Sequence, residues 1–236
     1  LIKSVILEML KYIKYYIPAL TGFFAIVFFS MGENYPTYFC LAWSLFLIIG
    51  DHVLPRDMEV QNFSYPTILN LSIYINLPIL ICLIYLLISI FGNDSSNMYI
   101  DELYSLFGID FFQIKDSFTS VDKIALILQT SLFIGILGTV PGHELTHRKH
   151  NKFDMFVGNW LLAFSWDCTF AIEHVYGHHK DVCLDEDPAS AKRGENIYLF
   201  ILRATFEEQK SGWRIESERL KRRRQKFLSS NNGMII

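Results

Sequence analysis

Four long apolar stretches constrain the fold of this chain more than any other feature. They cover residues 15–31, 35–50, 68–91 and 124–140, and Pro78 inside the third predicts a kink there. A helix needs about 20 mainly apolar residues to cross a bilayer, and runs of this kind are uncommon in soluble proteins. They predict an all-α, integral membrane, multi-pass helical bundle. The alternative is a soluble protein with buried core helices.

The composition and the distribution of charge agree with this prediction. The chain is 51% hydrophobic and 19% charged, against about 25% charged residues in a typical soluble domain. Six of its 21 Lys and Arg residues precede Pro141 and 15 follow it. Because basic segments stay on the cytoplasmic side, we expect one membrane domain over residues 1–236, in which the four spans lead to a cytoplasmic, histidine-rich helical cap over residues 141–236.

Two stretches of the cap have their own membrane signature. Residues 153–172 are apolar in patches and contain two tryptophans, which favours a helix at the membrane interface. Residues 212–226 indicate a charged cytoplasmic helix, in which residues 221–224 are Lys-Arg-Arg-Arg. Attraction to anionic lipid explains this cluster better than binding to nucleic acid.

The histidines carry the strongest chemical signal. Six of the seven fall between residues 143 and 179. Positions i and i+4 share a helix face, so one helix is predicted to present the first pair and a second helix the rest, with His179 binding from another direction. Neutral imidazoles oriented by carboxylates are what a metal centre requires. The predicted ligands are His143, His147, His174, His178 and His179, and the predicted orienting carboxylates are Glu144, Glu173 and Asp181.

Two further histidines have more ordinary interpretations. His150 shares the face of His143 but lies among basic residues, which favours a solvent-exposed side chain. His52 follows Asp51 at the end of an apolar stretch, where a polar cap is the simpler interpretation. Neither is assigned to the metal.

The metal and the reaction have competing interpretations at this point. His143-Glu144-x-x-His147 matches the zincin pattern, in which two histidines bind zinc and the glutamate is the general base. A membrane zinc protease is therefore the leading rival. A single zinc does not need the additional imidazoles of the second cluster, so the surplus favours two metal ions. A non-catalytic protein that binds or senses metal is a third possibility.

The histidine clusters resemble those of the membrane fatty acid desaturase and hydroxylase superfamily, and most closely those of the membrane alkane monooxygenases. The first box of that family is HExxH followed by a basic residue, here residues 143–148. The second is EHxxGHH, here residues 173–179. The segment around Glu186-Asp187-Pro188-Ala189-Ser190 and the region around Trp213 are also similar to the family.

The resemblance implies a function and its cofactors. A non-haem di-iron centre would use O2 to hydroxylate the terminal methyl group of medium- or long-chain alkanes. Electrons would come from a rubredoxin-type partner, and the apolar substrate would arrive through membrane lipid. Trp43 is a candidate stop for that passage, although packing against lipid or neighbouring side chains is the simpler interpretation of this residue. The location would be the bacterial inner membrane. A xylene or fatty acyl hydroxylase and a desaturase are close variants.

The resemblance also implies that histidines are missing. The family has further histidine boxes. Two irons would take about eight to ten donors, whereas five candidate ligands are present here. We therefore expect the chain to be an N-terminal fragment of such an enzyme, inactive on its own.

Overall fold

The computed structural model describes residues 2–55, 58, 62–92 and 110–234, and these contain helices but no β-strand. The all-α prediction is therefore confirmed. The helices are α1 (Ile2–Phe29), α2 (Tyr35–Val53), α3 (Pro66–Tyr74), α4 (Asn76–Phe91), α5 (Phe111–Ser117), α6 (Ser120–Phe133), the π-helix π1 (Ile134–Thr139), α7 (Val140–Thr146), α8 (Lys152–Ala163), α9 (Phe170–Glu173), the π-helix π2 (His174–His178), α10 (His179–Asp181) and α11 (Ile197–Arg222).

Four of the described helical segments are long and apolar enough to cross a membrane. They are Met9–Phe29, Tyr35–Val53, Pro66–Phe91 and Ser120–Thr146. Each overlaps one of the apolar stretches in the sequence. Because helix ends are stabilised by capping and packing as well as by hydropathy, three of the four begin before the apolar run, and two continue beyond it.

The third span is broken where a proline makes continuation costly. α3 ends at Tyr74 and α4 begins at Asn76. Pro78 has no N–H to donate to the carbonyl of Tyr74, and its ring crowds that carbonyl. The helix therefore opens at Ile75, one turn before the proline, as the sequence predicts for a kink at Pro78.

Hydrogen bonds between the spans define their alternating direction. The Thr37 hydroxyl donates to the Asp122 carboxylate, so α2 and α6 begin at the same end of the bundle. The Tyr16 hydroxyl donates to the carbonyl of Ile68 over 2.6 Å, which places the first part of α1 beside the beginning of α3. Successive spans therefore run in opposite directions, and α6 returns towards the end at which α1 begins.

The chain divides into two compact units, Leu1–Gly138 and Thr139–Ile236. The first contains α1 to α6. The second contains both histidine boxes. The expectation of one membrane domain over the whole chain stays a prediction.

Two glycines let α8 pack closely against α7 in the second unit. A Cβ atom on Gly142 would lie 3.2 Å from the carbonyl oxygen of Gly158, and one on Gly158 would lie 2.9 Å from Cβ of Leu145. Such contacts are too short for larger residues. The absence of both side chains therefore allows the close packing of these two helices.

α11 begins far earlier than the charged sequence at its C-terminal end suggests. The sequence indicates a charged helix from Gly212 to Lys226, whereas the helix spans Ile197–Arg222. Its first N–H groups are capped by the Asn196 side chain, which accepts from the N–H of Tyr198 over 2.9 Å. Gly212 does not break it, because the glycine packs closely against Thr169.

Candidate metal centre

The first histidine box lies at the C-terminal end of α7, where His147 is the C-cap residue. Nε2 of His143 and Nε2 of His147 are 3.0 Å apart. The α-helical repeat brings positions i and i+4 to one face, and the pairing predicted from the sequence is the one observed.

The second box is arranged differently, because His174–His178 is a π-helix. The wider turn bonds i to i+5. Nε2 of His174 accordingly meets Nε2 of His179 at 3.0 Å, not a nitrogen of His178. The rings of His174 and His178 are still stacked, with centroids 5.3 Å apart. The rings of His174 and His178 therefore share a helix face as predicted, whereas the nitrogen close to Nε2 of His174 belongs to His179.

The two boxes converge on one site within the second unit. The ring centroids of His143 and His174 are 4.4 Å apart, and those of His147 and His179 are 5.0 Å apart. One ligand nitrogen from each of His143, His147 and His174 lies within 4.8 Å of the others. All five histidines predicted as ligands belong to this cluster.

The donor set suits a transition metal ion. Two nitrogens bound at about 2.1 Å and at a right angle to each other would be about 3.0 Å apart, which is the separation seen in both close histidine pairs. Burial and the neighbouring histidines lower the pKa of His174 to about 4. Its imidazole is therefore neutral at pH 7, the form that binds metals.

Two of the three carboxylates predicted to orient the histidines are engaged elsewhere. Glu144 pairs with Arg148, one turn along the helix, over 3.0 Å. Asp181 pairs with Lys180 over 3.2 Å. Both carboxylates are close in sequence to a basic residue as well as to a histidine, and the cation attracts a carboxylate more strongly than a neutral ring does.

Glu173 is placed closer to the predicted role. Its side chain is buried beside the cluster, and Oε1 has no hydrogen-bond partner among the described residues. Burial raises the pKa of this carboxyl. Oε1 of Glu173 is therefore an unsatisfied acceptor beside the cluster.

Sequence reasoning missed the carboxylate that does contact a histidine. Asp187 is fully buried and accepts from Nδ1 of His178 at 3.0 Å. Its other donors are the N–H of Ala189 at 3.0 Å and the Ser190 hydroxyl at 2.5 Å. Burial alone would raise the pKa of Asp187, but these hydrogen bonds lower it overall. The Asp-Pro-Ala-Ser sequence, typical of a turn closed by its own side chains, is the signal that could have identified it.

A cavity of about 300 Å³ opens beside the cluster. Burial and the nearby carboxylates raise the pKa of Glu208 in its wall to about 7. Burial likewise raises the pKa of Asp167. Glu208 was missed because it is far from the boxes in sequence, and Asp167 was missed because it precedes the second box outside the histidine pattern. The lining residues are His143, Asp167, Thr169, Phe170, Glu173, His174, His178, Ala189 and Glu208.

The remaining candidates lie outside the cluster. His52 is exposed at the end of α2, and His150 is exposed in the turn before α8. Trp43 lies in the first unit, where its ring stacks on Phe46 and Phe133 at centroid distances of 5.4 and 6.2 Å. Its Nε1 is buried without a hydrogen-bond partner among the described residues.

Comparison with known proteins identifies the segment that carries the cluster. Residues 123–233 match the fatty acid desaturase family, and this range includes both histidine boxes, Asp187 and α11. The resemblance drawn from the boxes is thereby confirmed.

Sequence similarity to curated proteins points to hydroxylating enzymes. An alkane 1-monooxygenase of Acinetobacter baylyi is 37% identical over 58% of this chain and 32% of its own length. An alkane 1-monooxygenase of Pseudomonas putida is 38% identical over 48% of this chain and 27% of its own length. The hydroxylase component of xylene/toluene monooxygenase from Pseudomonas putida is 29% identical over 96% of this chain and 54% of its own length. The matches thus cover a third or less of both alkane monooxygenases. The four long apolar helices of the described residues indicate an integral membrane protein.

Proposed function

We propose that the protein acts as a non-haem di-iron monooxygenase that hydroxylates the terminal methyl group of medium- or long-chain alkanes. The observation that carries this proposal is the convergence of imidazoles from two separate boxes. Bound iron would supply the O2 and redox chemistry that side chains lack. The residues predicted to hold it are His143, His147, His174, His178 and His179.

The chain's own residues prepare the site in two ways. The low pKa of His174 keeps a neutral donor available. Asp187 accepts the Nδ1 proton of His178, which leaves Nε2 of that ring as the free donor atom. Five imidazoles are about half of the eight to ten donors that two irons would take. These 236 residues alone are therefore expected to hold iron less firmly than a complete centre.

The proposed substrate and partners follow from the membrane setting and the relatives. An apolar substrate would reach the site from lipid between the spans, with Trp43 as a candidate stop. A rubredoxin-type donor would deliver electrons to the basic cap in the cytoplasm, the bilayer being the bacterial inner membrane. The similarity to the xylene/toluene enzyme over 96% of the chain supports alkylbenzene methyl groups as a second candidate substrate.

The zinc protease alternative fits the site less well. Its general base would be Glu144, which must face a metal-bound water. Here Glu144 is exposed and held by Arg148. The nitrogens of His174 and His179 also exceed what one catalytic zinc requires.

Metal analysis tests the proposal most simply. The chain is purified without oxygen from cells grown on ⁵⁷Fe, and iron and zinc are counted alongside the Mössbauer spectrum. Iron with a nitrogen-rich signature is expected; it should fall sharply in His174→Ala but remain in the control His150→Ala. Stoichiometric zinc without iron, or equal loss in both variants, would contradict the proposal.

Product analysis tests the reaction itself. Cells expressing the enzyme together with a rubredoxin and its reductase receive n-octane, p-xylene and a fatty acid in one culture. The proposal predicts 1-octanol as the main product, dependent on His174. Preferential formation of methylbenzyl alcohol would favour the second candidate substrate, and an unsaturated acid would favour desaturation.

A further inference from the structure

Arg203 of α11 has every one of its donors satisfied within a small volume. A guanidinium has five N–H groups. Nε donates to Glu195 over 2.6 Å and Nη2 to the other oxygen of Glu195 over 2.9 Å. The rest go to the Glu207 carboxylate at 2.9 Å and to the carbonyls of Pro188 and Ser190 at 3.2 and 3.0 Å.

Two of these contacts hold the segment that contains Asp187. Pro188 and Ser190 lie one and three residues after Asp187, and their carbonyls accept from the guanidinium of Arg203. The Ser190 hydroxyl donates to Asp187 and accepts from the N–H of Cys183. Asp187 in turn bonds to His178. A continuous series of hydrogen bonds therefore leads from α11 to one ring of the histidine cluster.

We propose that Arg203 is a positioning residue for the metal centre: it clamps residues 187–190 so that Asp187 holds the His178 ring in the orientation that binds metal. This inference rests on the proposed function for its metal, but the clamp itself is a property of the protein. Histidine ligands are commonly oriented by an acceptor at the other ring nitrogen. Here the acceptor has its own support on a different helix.

A planar guanidinium is needed because the clamp spans several directions at once. It reaches two carbonyls of one turn and both oxygens of Glu195. Lysine has three donors on a single nitrogen and cannot reproduce this arrangement. Arg203→Lys therefore keeps the charge but is expected to lose most of the clamp.

The first test measures iron binding as a double-mutant cycle. Removing an orienting partner typically weakens metal binding about 10–100-fold, so Asp187→Asn and Arg203→Gln are each expected to raise the dissociation constant for Fe²⁺ by about that factor. If Arg203 acts through Asp187, the double variant is no weaker than Asp187→Asn. Arg214→Gln, an exposed arginine on the same helix, is the matched control.

The second test needs no metal. Amide hydrogen exchange at Ala189 and Cys183 reports directly on the clamped turn. Arg203→Gln and Arg203→Lys should both lose protection there, while Arg214→Gln keeps it and the thermal midpoint of all three stays close to that of the parent chain. If Arg203→Gln loses exchange protection but the parent chain binds no iron, the proposed function is contradicted and the clamp is still supported.

Three outcomes would overturn the clamp. One is unchanged exchange at Ala189 and Cys183 in both Arg203 variants. The second is an iron affinity that is unchanged in Arg203→Gln although Asp187→Asn binds iron more weakly. The third is full additivity in the double variant, because independent contributions mean that Arg203 does not act through Asp187.

Discussion

Two different helical repeats bring the histidine side chains together. His143 and His147 meet across one turn of α-helix, and His174 and His179 meet across one turn of π-helix. π-turns are frequent at functional sites because they redirect side chains without ending the helix. Here the extra residue in the turn separates His178 from the close pair, so its Nδ1 bonds to Asp187.

The ion pair between Glu195 and Arg203 gives a prediction for pH. Hydrogen bonds from Arg203 lower the pKa of Glu195 to about 2, whereas the pKa of an unfolded glutamate is about 4.3. The pair therefore contributes fully above about pH 4.3, and its contribution is lost as the pH falls towards 2. Exchange at Ala189, corrected for its intrinsic rate, should remain slow at pH 5. Rapid exchange already at pH 5 would contradict this, and Glu195→Gln should exchange rapidly throughout.

The α7–α8 contact makes a prediction at the scale of elements. The added methyl group in Gly158→Ala would lie 2.9 Å from Cβ of Leu145, which cannot rotate away. We expect destabilisation by about 1–3 kcal/mol, measured as a lower thermal midpoint in detergent. Gly135→Ala is the matched control, because a Cβ there meets nothing within 4 Å. Equal midpoints for the two variants would show that the helices separate at little cost.

The first three turns of α11 present a broad apolar surface. At about 100° per residue, their exposed side chains cover about 200° of the helix circumference. A protein groove usually takes a stripe of about 100°, so we expect lipid to cover this surface. These side chains, 52–75% exposed, are Ile197, Tyr198, Leu199, Ile201, Leu202 and Phe206.

Spin-label accessibility tests that expectation in vesicles of phosphatidylcholine and phosphatidylglycerol. In a cysteine-free background, labels at Leu199 and Phe206 should be more accessible to O2 than to a water-soluble nickel chelate. A label at Lys210, which is exposed on the same helix, should show the reverse. Low accessibility to both reagents at Leu199 would indicate a protein contact instead, and high nickel accessibility would indicate water.

Sequence patterns predicted the features that depend on residues close together in the chain. The apolar stretches located the spans, Pro78 located the break, and the spacing of His143 and His147 predicted their pairing. The π-turn was not predictable from residue types, because His174 to His179 also fits an α-helix. The Asp187–His178 and Arg203–Pro188 contacts join residues 9 and 15 positions apart. The Asp-Pro-Ala-Ser sequence predicts the turn, but the partners of Asp187 and Arg203 depend on how that turn and α11 pack.

At the scale of the whole molecule, the description has two parts. The spans of Leu1–Gly138 alternate in direction, as the Thr37–Asp122 and Tyr16–Ile68 hydrogen bonds require. Thr139–Ile236 gathers the histidines, the Asp187 turn and α11 into one compact unit. The desaturase-family match runs from residue 123 to residue 233, so it covers most of the last span and nearly all of Thr139–Ile236.

The central claim is that histidines of both boxes bind the same metal centre, and iron X-ray absorption tests it most directly. The account predicts a shell of nitrogen atoms at about 2.1 Å with the outer-shell scattering of at least three imidazoles per iron. It also predicts that this scattering weakens in both His147→Ala and His179→Ala. A shell of oxygen or sulfur alone, or a spectrum that responds to only one of the two substitutions, would contradict it.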